Sequence, residues 1–395
     1  MNGPSPDQRT VLGLSLSPRS NASWPSRTEV AQAVALAVGL TLLARMIVPV
    51  VGGLSGDARH YIAMASDPDA IVATPFAYRV LTPWLVQILG TSPLETFHIL
   101  AVAFLGLTGV FVYLITRGLG GGHYPGLIAV FGLLTVRGWL FNFQVPYLAD
   151  QAAMSLAGAA FAALVWRVDL LLPAILVIWA LSREVWAGFA LPAYAWIQRR
   201  FIDPAALLRV FLMAFPALIV MLVLYRFAPV QGAEAFGRVA DWLVQNIMDS
   251  RLPRLRFWIA YTFTASLGIW WVLALSRPRV GGALWLWLIP VFLQFLLGAD
   301  WSRFALYAFV VVIPVGAIAV WEHPRRRLLL AIVLLQLSPT AADLIVHGSL
   351  RLNRTQPSFW ITVALMAATL AVVVLSRLDT ILRARRAIGE SASQS

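Results

Sequence analysis

Long uninterrupted apolar runs dominate the chain. They lie near 30–52, 96–116, 124–141, 147–166, 204–225, 257–275, 282–298, 304–321, 328–347 and 358–376. Most are close to the roughly 18 to 20 residues that a helix needs to cross the apolar layer of a bilayer. Membrane β-strands would instead alternate apolar and polar residues over about ten positions. The pattern predicts an all-α fold, a polytopic transmembrane helical bundle.

Two further apolar stretches, 79–89 and 170–198, are not ordinary spans. The second is interrupted by two prolines and by Arg183-Glu184. It is long enough for two short helices that meet at this pair, either as a re-entrant loop or as two thin spans. Non-helical backbone at membrane depth requires protein or a water-filled cavity around it. With these stretches we expect about 10–12 membrane segments, including short or re-entrant helices.

Composition excludes a soluble globular protein. The chain is 60% hydrophobic and only 12% charged, with a mean hydropathy of +0.78, whereas soluble domains carry about 25% charged residues. There is no cysteine, which excludes disulfides and thiolate metal sites. The net charge of +12 does not require nucleic acid as a partner, because arginines of membrane proteins collect in cytoplasmic loops.

Charge distribution and periodicity divide the chain into three parts. Residues 1–29 are rich in Ser, Pro and Arg and predict a disordered cytoplasmic tail. Residues 30–376 predict a single transmembrane domain, and 377–395 a second cytoplasmic tail. Among the outer loops between the later spans of the transmembrane domain, the longest has apolar residues at helical spacing. This spacing predicts an interfacial amphipathic helix near 233–250. The more basic loops lie on the side of the termini, so both termini are predicted to be cytoplasmic.

This orientation places polar residues from five separate stretches on the outer face. They are Asp57, Arg59, His60, Tyr61, Arg79, Asp150, Arg183, Glu184, Asp300 and Arg303. Ionisable groups at the membrane boundary are costly and therefore mark candidate functional sites. We expect these residues to line one outward-facing cavity. The alternatives for Asp57 are a solvated loop aspartate or an aspartate paired with Arg59.

Several other members of this set have a structural alternative. Arg79 opens the short stretch 79–89, where it either binds phosphate or extends to lipid headgroups. Asp300 and Arg303 form either a phosphate site or a simple ion pair. Asp150 begins a span as a helix cap or as part of the site.

Arg183 and Glu184 are adjacent, so they do not face each other on a helix and need partners elsewhere.

Motifs for other chemistries are absent from the sequence. It contains no HExxH, no Walker loop and no GxSxG in a suitable context. No spacing of residues assigns a metal ligand, although a divalent cation held by Asp57 and a second outer carboxylate is left open. Within such a cavity, Asp57 could act as a general base for a hydroxyl about 3 Å away.

The layout resembles the GT-C superfamily of membrane glycosyltransferases. Members carry an aspartate just after the first span, like Asp57, and often a tyrosine shortly after it, like Tyr61. A segment with Pro and Arg precedes their next span, as at 75–83, and acidic or Arg-Glu elements end later outer helices, as at Asp150 and 183–184. The large soluble carboxy-terminal domain of some members is missing, and the first loop has one acid rather than an adjacent pair.

The resemblance implies an inverting glycosyltransferase in a bacterial inner membrane. Its donor would be a polyprenyl-phosphate-linked sugar, its acceptor a hydroxyl of a glycan or lipid, and its surroundings membrane lipids. Asp57 would be the catalytic base. Arg79 and Arg303, assisted by Arg183 or Arg59, would hold the lipid phosphate. The alternatives are a secondary transporter or lipid flippase, which would place charges near the membrane midplane, and a non-catalytic assembly subunit.

Overall fold

The computed structural model describes residues 23–51, 57–73, 76–90, 92–183, 191, 204–228, 230–231, 263, 266–297, 305–350 and 357–392. Most of these residues are helical, as the sequence predicts. The helices are α1 (Arg27–Ile47), α2 (Asp57–Ser66), α3 (Leu81–Leu89), α4 (Pro93–Gly118), α5 (His123–Leu134), α6 (Arg137–Gln144), α7 (Asp150–Val165), α8 (Leu172–Ser182), α9 (Pro204–Phe227), α10 (Ile269–Leu275), α11 (Pro278–Gly281), α12 (Leu288–Leu297), α13 (Phe309–Glu322), α14 (Arg326–Leu335), α15 (Ser338–His347) and α16 (Pro357–Ala392). Two-residue strands, β1 (Val72–Ala73) and β2 (Val230–Gln231), pair in parallel.

Five stretches of the described chain are long and apolar enough to cross a membrane. They are Arg27–Ile47, Pro93–Gly118, Leu208–Phe227, Arg326–His347 and Ser358–Ala384. The bent pair α5 and α6 makes a sixth if it is counted as one span, and α7, α8 and α13 are shorter apolar helices. Their outward surfaces carry large apolar side chains, as lipid contact requires. The chain therefore has the architecture of an integral membrane protein.

The predicted tails differ from the observed helix ends. Helix α1 begins at Arg27 because Ser26 and Glu29 form a capping box: Ser26 N donates to Glu29 Oε2 at 2.8 Å, and Glu29 N donates to Ser26 Oγ at 3.2 Å. Helix α16 continues to Ala392, through most of the predicted tail at 377–395. The charged residues there lower the hydropathy, but they do not end the helix. The predicted interfacial helix at 233–250 lies outside the described residues.

Contacts between helix ends define two faces of the bundle. On the first, Glu29 of α1 pairs with Arg117 of α4 at 3.3 Å and approaches His123 of α5 at 3.9 Å. We call this the amino-terminal face. At the other ends of these helices, Val51 N donates to Gln144 O at 3.0 Å. This end also carries Asp57, and we call it the Asp57 face.

Helix α5 breaks from α6 with a bend of 54°. At the break, Thr135 Oγ1 donates to Gly132 O at 2.7 Å and accepts from Trp270 Nε1 at 2.8 Å. The first residue of α6, Arg137, forms a buried ion pair with Asp343 of α15. Side chains from distant parts of the chain therefore satisfy the polar groups that the break brings into the bundle.

Trp270 is a central packing element of the same region. Its indole is completely buried, and it lies between glycines of two helices. A Cβ added at Gly132 of α5 would lie 2.5 Å from the Trp270 ring, and one added at Gly316 of α13 would lie 2.8 Å from it. The absence of a side chain at both positions lets α5, α10 and α13 approach closely.

We expect Gly132→Ala to destabilise the protein by about 1–3 kcal/mol, because the Trp270 ring has no free space into which to move. The matched control is Gly39→Ala in α1, where an added Cβ meets nothing within 4 Å. That change removes backbone freedom from the unfolded chain and is expected to be neutral or stabilising. Melting of the two detergent-purified variants, followed by size-exclusion chromatography, tests the difference. Equal melting temperatures would contradict this account of Trp270.

Candidate functional site

Tyr61 and Arg79 form a buried pair on the Asp57 face. Tyr61, in the second turn of α2, is 1% exposed and Arg79 is 7% exposed. Arg79 Nη1 donates to the Tyr61 hydroxyl at 2.9 Å, and its guanidinium lies 5.6 Å from the centroid of the Phe76 ring. The sequence placed Arg79 at a helix start, but a 3₁₀ turn precedes it and α3 begins at Leu81. The contacts hold the guanidinium in one orientation.

Phe76 is also the packing partner of two α2 residues. The His60 ring stacks on Phe76 with centroids 4.5 Å apart and an interplanar angle of 8°. The Tyr61 ring meets Phe76 edge-on at 5.8 Å. Three of the predicted site residues, His60, Tyr61 and Arg79, are therefore brought together around one phenyl ring that sequence analysis did not single out.

Asp57 is the first residue of α2 and is half-buried. A carboxylate in the first turn interacts favourably with the positive end of the helix dipole. Arg59 is exposed, and its Nε donates to His60 Nε2 at 3.4 Å. Burial lowers the pKa of His60, and the neighbouring Arg59 lowers it further against the opposing effect of Asp57. His60 is thus kept neutral beside the carboxylate.

Asp150 and Arg183 form a second buried pair on the same face. Asp150 is the first residue of α7, one position after the N-cap Ala149, and its carboxylate pairs with Arg183 directly after α8. Arg183 Nη1 donates to the Tyr307 hydroxyl at 3.5 Å. Ser182 Oγ donates to Ala149 O at 3.3 Å. The end of α8 is thereby joined to the start of α7.

A shared apolar cluster connects the two pairs. Tyr61 packs in it with Ala58 of α2, Phe97 of α4, and Tyr147 and Ala149 of the segment before α7. Helix α3, which follows Arg79, also packs against α8, which precedes Arg183. The structure therefore places the Tyr61–Arg79 and Asp150–Arg183 pairs on one face around a common core.

Sequence analysis did not predict a hydrogen-bonded chain that lies beside this cluster and includes His98. Arg45 Nη2 donates to His98 Nδ1 at 3.0 Å, and His98 Nε2 lies 3.2 Å from the Tyr147 hydroxyl. Arginine can only donate, so His98 Nδ1 accepts and its Nε2–H donates to Tyr147. The sequence feature that could have indicated this contact is Arg45, a charged residue in the last turn of the apolar helix α1.

An apolar cavity of about 260 Å³ is lined in part by the segment that carries Arg79. One wall is the end of α9, including Val223 and Phe227, and the other includes Ala77 and Val80 on either side of the Tyr78-Arg79 dipeptide. The Val223 and Phe227 side chains are 49% and 75% exposed, as expected for a lipid-facing helix.

Two further contacts involve chain neighbours of the residues that line this cavity. The rings of Tyr78 and Tyr225 lie 4.2 Å apart, and burial raises the pKa of Tyr78. The Arg226 guanidinium lies 5.9 Å from the centroid of the Phe227 ring. The cavity is thus apolar inside, with one arginine beside its lipid-facing wall.

Three predicted site residues, Glu184, Asp300 and Arg303, lie outside the described residues. Among the residues that are described, no three His, Asp or Glu side chains converge where they could hold a metal ion. Comparison of the chain with family models, with curated proteins and with solved structures finds no match. Function is therefore argued from the geometry above.

We expect Arg183→Met to destabilise the protein by about 3–5 kcal/mol, because it leaves the Asp150 carboxylate buried without its ion-pair partner. The control is Arg383→Met, which removes an arginine whose 2.7 Å pair with Asp379 is solvent-exposed. Such a pair contributes about 0–1 kcal/mol. Thermal melting in detergent measures both variants. If Arg183→Met lowers the melting temperature no more than the control does, the result would argue against a buried ion pair.

The lowered pKa of His60 predicts acid sensitivity. The unfolded chain binds a proton at this histidine near pH 6.5, whereas the folded protein resists protonation. The stabilising contribution of neutral His60 is therefore complete above about pH 6.5 and is lost as the pH falls from that value through the lowered folded pKa.

His60→Phe keeps an aromatic ring beside Phe76 but cannot titrate. We expect its melting temperature to fall less than that of the unmodified protein between about pH 7.5 and 5. Some acid sensitivity will remain, because burial together with Arg277 and Arg325 also lowers the pKa of His323. Parallel melting curves over this range would exclude His60 as a contributor.

Proposed function

We propose that the chain is a membrane glycosyltransferase of the GT-C type, which moves a sugar from a polyprenyl-phosphate donor to an acceptor hydroxyl at the Asp57 face. One observation carries the proposal: the segment that bears the buried, oriented Arg79 also lines an apolar cavity, through Ala77 and Val80, and that cavity is bounded by a lipid-facing helix. A lipid phosphate needs both features, a guanidinium for its head and an apolar surface for its chain. A water-soluble donor would need only the first.

The apolar cavity suits the donor chain. Its α9 wall continues into the lipid-facing surface of the bundle, so a prenyl chain can enter from the membrane without crossing water. A cavity of about 260 Å³ holds only the part of the chain nearest the phosphate, and the remainder stays in the bilayer. Arg226, beside Phe227 at the cavity wall, would attract the phosphate as it arrives.

Arg79 is the residue we propose as the main phosphate ligand. Its fork can donate to two phosphate oxygens, and the Tyr61 hydroxyl orients it beforehand. Preorganised positive charge stabilises the negative charge that develops on the leaving phosphate, which is often the largest catalytic contribution. Arg183 is held by Asp150 and Tyr307 on the same face and would assist.

Asp57 is the proposed general base. It accepts the proton of the acceptor hydroxyl while the acceptor oxygen forms a bond to the anomeric carbon and the bond from that carbon to the phosphate oxygen breaks. The products are the glycosylated acceptor and polyprenyl phosphate, with inversion at the anomeric carbon. Asp57 opens α2, so its carboxylate lies at the positive end of the helix dipole.

Topology follows from the same proposal. The GT-C arrangement of about 10–12 membrane segments would place the Asp57 face outside and both termini in the cytoplasm of a bacterial cell. The exposed arginines of the amino-terminal face, including Arg325, Arg326 and Arg327, support this orientation through the positive-inside tendency.

A transporter or lipid flippase is the second candidate, favoured by a different observation. The α5–α6 break with its Arg137–Asp343 pair lies within the spans, and broken helices with charged residues are frequent at transport sites. A flippase would move a fluorescent lipid between leaflets of a vesicle and leave it chemically intact. A transferase would cleave its donor.

We expect Asp57→Asn to abolish transfer, because an amide cannot accept the hydroxyl proton; losing general-base catalysis costs about 10²–10⁴-fold. The matched control is Asp69→Asn, an exposed loop aspartate on the same face, which should keep full activity. The measurement is mass-spectrometric detection of polyprenyl phosphate released from a panel of undecaprenyl-phosphate sugars by protein in membranes. Size-exclusion profiles check that both variants are folded.

Retained activity of Asp57→Asn would remove this residue from catalysis. Intact donor with the unmodified protein, together with lipid movement between leaflets, would favour the flippase instead.

A further inference from the structure

The amino-terminal face carries a basic hollow that the proposed transferase does not use. A depression of about 590 Å³ lies between the end of α13 and the start of α14. Residues 321–328 line it, with three arginines and a single glutamate among them. It lies at the opposite end of the bundle from Asp57, so its ligand is not the proposed sugar donor.

Several groups make this hollow electropositive. Arg325, Arg326 and Arg327 are all exposed. Burial lowers the pKa of His323, and nearby Arg277 and Arg325 lower it further. The backbone N–H of Arg325 donates to His323 Nδ1 at 3.1 Å, so the imidazole is neutral and the positive charge of the hollow comes from the arginines.

An aromatic wall holds one side of the hollow in place. The Trp321 ring stacks on Tyr124 of α5 with centroids 5.3 Å apart and an interplanar angle of 21°. The Arg326 guanidinium lies 4.9 Å from the Trp321 centroid. Tryptophan is enriched at the level of lipid headgroups, so the hollow is at a depth where a headgroup phosphate can reach it.

An apolar stripe begins at the edge of the hollow. Leu328 lines the hollow and is 46% exposed, and Leu334 and Leu335 are 54% and 55% exposed. With Ala331, these residues repeat at the spacing of one helix face of α14. A ligand with a phosphate in the hollow would therefore have an apolar surface directly below for acyl chains.

We infer that this hollow binds the phosphate of an anionic phospholipid, with the acyl chains lying along the exposed stripe of α14. The arginines select net negative charge, and the stripe selects a lipid over a free anion. A soluble phosphate compound shares the first requirement but gains nothing from Leu328, Leu334 and Leu335. The experiment separates these two sources.

The test uses the full chain, purified in detergent and titrated with phosphatidylglycerol or phosphatidylcholine, with bound lipid counted by native mass spectrometry. We expect clear preference for phosphatidylglycerol. Arg325→Gln and Arg327→Gln should each weaken its binding about fivefold, the effect of one arginine near an anionic lipid surface. The matched control is Arg383→Gln on the same face, which removes one positive charge away from the hollow and should leave binding unchanged.

Three results would overturn the inference. Equal retention of the two lipids would show that charge is not recognised. An equal loss in Arg383→Gln and Arg325→Gln would indicate general attraction to the arginine-rich face. Inorganic phosphate that raises the melting temperature of delipidated protein as much as phosphatidylglycerol does would identify a soluble phosphate as the ligand. None of these measurements depends on glycosyl transfer, so the two proposals stand or fall separately.

Discussion

The buried ion pair between Arg137 and Asp343 joins parts of the chain that are 206 residues apart. At membrane depth neither charge has water to solvate it, so each requires the other. A second contact of the same separation lies beside it: Gln144 Nε2 donates to Leu350 O at 3.1 Å, and Leu350 N donates to Gln144 Oε1 at 2.5 Å. Together they fix α15 and the segment after it against α6, and Gln144 O in turn accepts from Val51 N at the end of α1.

This constraint explains why the Asp57 face can keep other charges buried. The helices that meet there are held by polar contacts between their ends, so the space between them does not collapse onto lipid. Arg79 and Arg183 are each only 7% exposed, and each contacts a tyrosine hydroxyl. Burying an arginine costs free energy of desolvation unless its hydrogen-bonding and ion-pair partners are already in position. Two such pairs around one apolar cluster are consistent with a binding site and exceed what helix packing alone requires.

Sequence periodicity was sufficient to predict the helical class and most helix positions, because apolar runs depend on local composition. It also indicated that Arg183 needs a partner other than its neighbour, since adjacent residues on a helix point apart, and the ion pair with Asp150 agrees with this. It could not identify Asp150 as the partner of Arg183, or Phe76 and Tyr307 as contacts of the two arginines. Those depend on how distant segments pack, and neither aromatic residue differs in the sequence from the many others that face lipid. The α5–α6 break was missed for a related reason: Thr135 and Val136 interrupt no apolar pattern.

The two faces differ in how they present arginine, and this difference bears on function. At the Asp57 face Arg79 and Arg183 are buried and each is held by a tyrosine hydroxyl, so their orientation is set before a ligand arrives. At the amino-terminal face the arginines beside Trp321 are exposed, and long flexible side chains can follow ligands of varied shape. Preorganisation suits a site that must stabilise charge developing on one reacting group. Adaptable exposed charge suits reversible contact with lipid headgroups, so the two arrangements of arginine match the two different ligands proposed for the two faces.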